Sequence, residues 1–286
     1  MNSLFEKKKR PMDLFLTILI YISTAISAGL IFLIIAYVFI KGMPYFKFKN
    51  LIEAGSALTN PDGLLGNIIN TLYIIGLTLL IACPIGIGGA IYLNEYATNK
   101  KFVQAISFTS EVLAGIPSII YGLFGMIVFG EVMGMGYSIL YGSLTLTLMV
   151  LPIIIRNAQV ALQNVPGSYR EAALGMGSTK WYMIRTVILP SAIPGILTAV
   201  ILSMGRIIAE SAALLFTAGS GYFLPKGFFS HFLESGGTLT VQLYTAMCNA
   251  EYEQAFVIAM VLIIIILLLN LLAKWISRHF DVNKEA

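Results

Sequence analysis

Residues 169–177 read Tyr-Arg-Glu-Ala-Ala-Leu-Gly-Met-Gly, residues 187–190 read Val-Ile-Leu-Pro, and nine residues separate the two stretches. The first stretch contains strong helix formers and ends in glycines, which commonly follow the last turn of a helix. The second leads into an apolar run, and its proline restricts the residue before it and so helps to fix how the chain enters that run. The sequence therefore predicts a short helix followed by a long apolar one.

The composition around these stretches is that of a membrane protein. Of the 286 residues, 58% are hydrophobic and only 11% are charged, whereas soluble domains carry about 25% charged residues. A helix that crosses a hydrocarbon core about 30 Å thick needs about 20 apolar residues. Six such runs leave little sequence for a soluble module, so we expect no ATPase, kinase or DNA-binding domain in the chain.

The apolar runs predict an all-α integral membrane protein with six transmembrane helices. Prolines and glycines within the runs favour kinks and close helix contacts. The predicted spans cover about residues 14–40, 68–93, 105–129, 139–155, 193–216 and 255–276.

These spans divide the chain into three parts. Residues 1–65 hold an N-terminal cytoplasmic segment, the first span and an external loop. Residues 66–276 form the core, which includes a polar loop at residues 156–190. Residues 277–286 form a tail.

Lysine and arginine are distributed unevenly between alternate loops. With the N-terminus inside, thirteen lie in inner segments and four in outer segments. An excess of these residues marks the cytoplasmic side, so both termini are predicted to be cytoplasmic. The inner set is Lys7, Lys8, Lys9, Arg10, Lys100, Lys101, Arg156, Arg170, Lys180, Arg185, Lys274, Arg278 and Lys284; the outer set is Lys41, Lys47, Lys49 and Lys226.

No residue pattern indicates a metal, cofactor or nucleic-acid site. Cys83 lies inside an apolar run and Cys248 in a polar stretch, and two cysteines so placed suggest neither a disulfide framework nor a metal site. His231 is a single histidine in an external segment. The net charge of +4 is not concentrated on one soluble face. We therefore expect no metal, no cofactor and no nucleic-acid partner.

Arg206 and Glu210 stand inside the fifth predicted span. An arginine at a membrane centre costs about 2.5–3.5 kcal/mol on insertion scales and cannot escape by losing its proton. Four residues apart, the two side chains would share one face of a continuous helix. Two interpretations stay open at this point: an internal ion pair that locks the fifth helix to its neighbours, or contacts with a translocated anion.

The anion interpretation rests on the shape of the guanidinium group. Its parallel donors match two oxygens of a phosphate group. Phosphate near neutral pH also keeps a proton, which a carboxylate such as Glu210 could accept in a hydrogen bond.

Residues 169–190 resemble the EAA loop of ABC importer permeases. That motif reads Glu-Ala-Ala, three residues, Gly, nine residues, Ile, one residue, Leu-Pro, and the chain departs from it only at Val187. The resemblance implies a type I ABC importer permease fold, with a coupling helix lying across the cytoplasmic end. By the same resemblance, Glu171, Ala172, Ala173 and Gly177 dock into a groove of a separate ATP-hydrolysing subunit.

Four further stretches resemble the A-type permeases of phosphate-specific transport (Pst) systems, the PstA-like subunits. The resemblance implies ATP-driven phosphate import by alternating access, and it favours Arg206 as a transport residue; the role of Glu210 is our hypothesis. The stretches are Asn70-Thr71-Leu72, residues 90–96 (AIYLNEY), residues 115–122 (GIPSIIYG) and residues 205–216 (GRIIAESAALLF).

The resemblance also implies partners and a location. These are a second homologous permease, two ABC ATPase subunits, an extracytoplasmic phosphate-binding protein and the surrounding lipid of a bacterial or archaeal cytoplasmic membrane. The chain itself would not be an enzyme.

Three other functions stay open. An ABC permease for sulfate, molybdate or tungstate would share the EAA loop. A secondary anion transporter would leave that loop unexplained, and the inverted repeats typical of such proteins are not evident. A channel or structural membrane subunit would use Arg206 and Glu210 only as an internal clamp.

Overall fold

A computed structural model describes residues 11–55, 62–225 and 227–279, and these residues form helices joined by loops. The predicted basic cluster at residues 7–10, Lys226 and Lys284 lie outside the described residues. The helices are α1 (Pro11–Gly42), α2 (Phe48–Ile52), α3 (Leu65–Ile91), α4 (Lys100–Ala114), α5 (Ser118–Gly125), α6 (Ile139–Gln163), α7 (Gly167–Gly175), α8 (Lys180–Met183), α9 (Leu189–Ile208), α10 (Ala212–Leu215), α11 (Leu239–Cys248) and α12 (Tyr252–His279).

The predicted all-α membrane fold is confirmed. Five helical segments of the described residues are long and apolar enough to cross a membrane, and a bent pair supplies the sixth. Wide π-helical turns extend three of the helices: Tyr92–Tyr96 follows α3, Met126–Val132 follows α5, and Ile184–Ile188 joins α8 to α9. Below, the end of the molecule that carries α7 is called the inner end, and the opposite end the outer end.

The third predicted span is broken. α4 and α5 meet at an angle of 99°, with Gly115 and Pro117 at the break. Proline cannot continue a helix with its own N–H, but its fixed backbone angle suits the start of the next one. The sequence left open whether these residues bend the span or only allow close packing, and the structure shows a bend.

The bent pair of α4 and α5 nevertheless runs from the inner end of the molecule to the outer end. Successive residues of α4, α5 and the π-helical turn after α5 contact residues of α6 in reverse order, from the inner end of α6 to its outer end. A re-entrant loop would return to the inner end instead, so the pair counts as one span. The contacts run from Ser107 to Gln159, from Glu111 to Arg156, from Gly125 to Thr145 and from Gly130 to Tyr141.

The fifth span also differs from its prediction. The sequence predicts an unbroken run over residues 193–216, but α9 ends at Ile208 and a separate short helix, α10, begins at Ala212. In a continuous helix the N–H of Ala213 would bond to the carbonyl of Ala209. Here it bonds to the Glu210 carboxylate at 3.0 Å. A side chain therefore replaces the backbone acceptor at the break.

Two buried apolar clusters hold the helices together. The larger one joins α3, α6, α9, α11 and α12 and includes Ile74, Leu146 and Ile258. The smaller one lies at the inner end and includes Leu162, Ala173 and Ile188 from three different segments. The inner cluster fixes α7 beneath the transmembrane helices.

α1 stands apart from the rest of the chain. Its outer end packs on α12, where Tyr37 and Phe256 form an edge-to-face pair with ring centroids 5.7 Å apart. Most of its other side chains are exposed, with Phe32 exposed by 75%. An apolar helix that its own chain leaves uncovered is expected to contact lipid or another subunit.

Candidate functional site

Arg206 lies in the last turn of α9, about halfway between the two ends of the molecule. Its depth follows from two close contacts with α6: Gly195 lies against Ala161 near the inner end, and Ala218 lies against Gly142 near the outer end. Arg206 is eleven residues after Gly195 and twelve before Ala218. The backbone of Arg206 therefore lies about midway between these two contacts.

The Arg206 side chain is exposed on the surface of the isolated chain. Among the described residues it forms neither an ion pair nor a hydrogen bond. Arginines within membrane spans almost always face the interior of a protein or a water-filled cavity, and we expect the same of Arg206.

Glu210 is placed differently from the prediction. It lies beyond the end of α9 and is 6% exposed. The ion pair with Arg206 that one of the two interpretations required is not formed. Its carboxylate instead accepts the Ala213 N–H, where the positive end of a helix dipole favours a negative charge. Its carbonyl accepts a 2.7 Å hydrogen bond from Thr240. Glu210 thus stabilises the break between α9 and α10, which follows Arg206 in the chain.

The inner surface is formed by α7, the helix predicted from residues 169–177. Glu171 and Ala172 are exposed on it, whereas Ala173 is 4% exposed and belongs to the inner apolar cluster. Ala173 therefore packs against its own chain, whereas Glu171 and Ala172 are open to a partner. Gly177 follows the helix with a φ of +81° and open space around it. That backbone conformation strongly favours glycine.

Large apolar side chains surround these residues on the same surface. Exposed apolar groups in a polar region typically mark a protein interface. The sequence interpretation considered only the small residues and missed these side chains, although their types in a polar stretch were a readable signal. They are Tyr169 (48% exposed), Leu174 (51%), Met176 (83%), Trp181 (60%) and Tyr182 (60%).

Arg170 was counted only as a topology marker, but it connects α7 to two transmembrane helices. Its Nη2 and Nε lie 2.9 and 3.2 Å from Glu95 Oε1. Its Nη2 and Nη1 also donate to the carbonyls of Leu162 and Val165, each at 2.9 Å. Because 75 residues separate Arg170 from Glu95, no local sequence pattern could have predicted the pair.

A buried polar cluster lies at the outer end of α3. Asn70 donates to the carbonyls of Gly221 and Gly237, each at 3.3 Å, and its Oδ1 lies 2.7 Å from Nε2 of His231. Thr71 accepts a hydrogen bond from the Leu239 N–H at 3.1 Å. The predicted external segment between α10 and α11 is therefore bound directly to α3.

The other ring nitrogen of the fully buried His231 lies 2.7 Å from Glu234. No group of three potential metal ligands (His, Cys, Asp or Glu) occurs among the described residues. His231 thus has a structural role, because it links α3 to the external segment.

Comparison with known proteins bears on what this architecture does. Residues 82–283 match the family described as binding-protein-dependent transport system inner membrane component. The chain is 35% identical over 268 residues to the probable ABC transporter permease protein YqgI of Bacillus subtilis, covering 88% of this chain and 90% of that protein.

A relative with a named substrate and a solved structure give further comparisons. The chain is 35% identical over 204 residues to the phosphate transport system permease protein PstA of Haemophilus influenzae, covering 71% of this chain and 72% of that protein. A chain of the bacterial alginate ABC transporter, solved with its alginate-bound periplasmic protein, shares the fold with a TM-score of 0.67 at 18% identity. The alignment covers 95% of this chain and 98% of that one.

Proposed function

This chain belongs to the family of binding-protein-dependent transport system inner membrane components and is an ABC importer permease subunit, and we propose that the anion it conducts is inorganic phosphate. The observation that carries the proposal is the exposed guanidinium group of Arg206, which lies at mid-depth without an ion pair or hydrogen bond among the described residues. Two parallel N–H groups suit two oxygens of one phosphate ion.

The substrate assignment takes its support from chemistry and likeness together. A cation at the membrane centre favours an anionic cargo over a neutral one. Relatives at 31–35% identity are named as phosphate transport permeases, whereas the name of YqgI gives no substrate. Sulfate, molybdate and tungstate are the rival cargoes, because each offers a guanidinium group the same kind of oxygen pair.

In the proposed mechanism the chain acts as a gate and hydrolyses nothing. A phosphate-loaded binding protein docks at the outer end and releases its ion into a path between this chain and a second, homologous permease. Two ATPase subunits bind at the inner end and close on ATP, which displaces α7 and opens the path outward. Hydrolysis and product release return the path to the inward-open state, so the ion moves in one direction.

Reconstitution into vesicles would test the substrate. The complex of both permeases and two ATPase subunits, with the phosphate-binding protein outside and ATP inside, is expected to accumulate radiolabelled phosphate. A large excess of unlabelled phosphate should abolish the signal, whereas sulfate, molybdate or tungstate should leave it unchanged. ATP-driven uptake of one of those three oxyanions without uptake of phosphate would refute the assignment.

Both termini are proposed to be cytoplasmic in a bacterial or archaeal membrane. The charge bias predicts that an alkaline phosphatase fused after Ala286 is inactive, because this enzyme needs the oxidising exterior to fold. The same enzyme fused near Gly236, in the external segment, is expected to be active. Activity measured in whole cells distinguishes the two orientations, and the reverse pattern would overturn the placement of α7 on the cytoplasmic side.

A further inference from the structure

The contact between Arg170 and Glu95, called the clasp below, links the coupling surface to a transmembrane helix that does not follow it in sequence. The Glu95 side chain is 5% exposed and that of Arg170 is 23% exposed. Glu95 also accepts a 2.7 Å hydrogen bond from Asn94. Both Arg170 donors and the Asn94 amide meet the same oxygen, Glu95 Oε1. Charge-assisted hydrogen bonds of this kind are stronger than neutral ones.

Few other polar contacts tie α7 to the rest of the chain. Arg170 is the only residue of Gly167–Gly175 whose side chain bonds to another described segment. Ala173 adds apolar packing in the inner cluster, which is not directional. The clasp is therefore the directional contact between α7 and the end of α3, beside the apolar packing of Ala173 in the inner cluster.

The same transmembrane helix reaches the outer end of the molecule. α3 runs from Leu65 and continues through Pro84 and the π-helical turn to Tyr96. Its first turns hold the outer polar cluster, where Asn67 and Asn70 donate to Gly237 and Thr71 accepts from Leu239. One continuous helical segment thus has the clasp at its inner end and the external segment bound at its outer end.

We propose that the clasp transmits the displacement of α7 to α3, and that α3 carries this displacement to the external segment. The inference rests on the proposed function, because the displacement is the one that ATPase closure imposes. The chain continues from α7 through α8 into α9, which gives one route for that force. The clasp adds a second, sideways route, so that α3 and α9 move together and the outer side opens in step with ATP binding.

The test compares Glu95→Gln with the wild type in the reconstituted complex. Glutamine keeps the size of the side chain and removes its charge. We expect normal co-purification of the ATPase, ATP hydrolysis within about twofold of the wild type, and roughly tenfold less phosphate imported per ATP, a typical size for coupling between sites. Arg170→Lys should show a smaller loss in the same ratio, because an ammonium group lacks the planar fork.

Glu111→Gln is the matched control. Glu111 also pairs with an arginine of another helix, Arg156, at 3.1 Å, but both side chains are about half exposed and neither lies on α3 or α7. Its removal is expected to leave phosphate imported per ATP near the wild-type value, since exposed ion pairs contribute little.

A second measurement does not depend on the substrate. Cys248 is exposed and lies at the end of α11, the helix that begins at the Thr71-bound Leu239. In a complex whose other subunits lack cysteine and whose Cys83 is replaced by alanine, a membrane-impermeant maleimide should react with Cys248 at different rates with and without ATP. Glu95→Gln should remove that difference.

The outcomes separate the two proposals. If the wild type imports no phosphate but Cys248 still changes its reactivity with ATP, the phosphate assignment is refuted. The clasp proposal is then still supported if Glu95→Gln removes that change at Cys248. Unchanged import per ATP in both clasp variants overturns the clasp. So does an equal fall of hydrolysis and import in both, because a merely structural contact would lower assembly and every activity together. A wild type without an ATP-dependent change at Cys248 overturns the route along α3.

Discussion

Replacing Arg206 with glutamine is expected to lower ATP-driven phosphate uptake by roughly 10- to 100-fold, the usual cost of losing hydrogen bonds to a charged group. Glutamine keeps part of the length and some hydrogen bonding but removes the charge and the two-point fork. Since Arg206 has no ion pair or hydrogen bond within the described chain, its loss leaves no buried carboxylate without a partner. The complex should therefore still assemble, as co-purification of all subunits would show.

Two further variants sharpen this test. Arg206→Lys should recover only part of the uptake, because an ammonium group is a point charge without a planar donor pair. Arg156→Gln makes the same chemical change at an arginine that is 44% exposed and already paired with Glu111, and its uptake is expected to stay within about threefold of the wild type. Equal losses at both arginines would argue against a specific contact with the anion.

The double variant Arg206→Gln with Glu210→Gln distinguishes a contact with the anion from an internal ion pair. If the two residues only neutralised each other, removing both charges would restore uptake. Glu210 instead bonds to the Ala213 N–H at 3.0 Å, so we expect no rescue. We expect Glu210→Gln alone to impair uptake as well, because it weakens the cap that begins α10. Full recovery in the double variant would contradict the anion-path proposal.

The sequence predicted the position of Arg206 but not the contacts of Glu210. An arginine in an apolar run is noticeable from hydropathy alone, and its depth follows from the length of the run. The pairing with Glu210 assumed a continuous helix, and that part of the prediction is wrong. Residues 212–216 are as apolar as the run before them, so hydropathy gave no sign that the Glu210 carboxylate would cap a new helix.

The third span shows a second limit of the same kind. Gly115 and Pro117 are readable as breaking residues, but they do not determine a bend of 99°. The angle depends on close packing, since Gly125 and Gly130 lie against α6 and Gly122 lies against Ala213 of α10. Contacts between residues far apart in sequence are decided by the assembled fold, and the clasp between Arg170 and Glu95 is another of them.

Replacing Glu171 with lysine is expected to uncouple the ATPase without disturbing membrane insertion. Glu171 is exposed on α7 among the uncovered apolar side chains of the inner surface, and it makes no hydrogen bond or ion pair with another described residue. Reversing its charge places like charges together if its partner on the ATPase is basic, a costly arrangement at an interface. Phosphate uptake should fall roughly tenfold or more.

Glu171→Gln is the matched control for that variant, because it keeps the shape of the side chain and removes only the charge. Its uptake is expected to lie between those of the wild type and Glu171→Lys. Co-purification of the ATPase with the permeases provides the second measurement and should weaken in the same order.

Gly177 offers an independent test of the same docking surface. A side chain at this position costs about 1–2 kcal/mol in backbone strain, because the φ of +81° is unfavourable for residues other than glycine. Asparagine and aspartate tolerate such angles best and have nearly the same shape. Because nothing lies within 4 Å of an added Cβ, Gly177→Asn should fold and insert normally, and Gly177→Asp should differ from it only by its charge. We expect Gly177→Asp to lose more ATPase binding and uptake than Gly177→Asn. Wild-type uptake in both Gly177→Asp and Glu171→Lys would show that α7 is not where the ATPase docks.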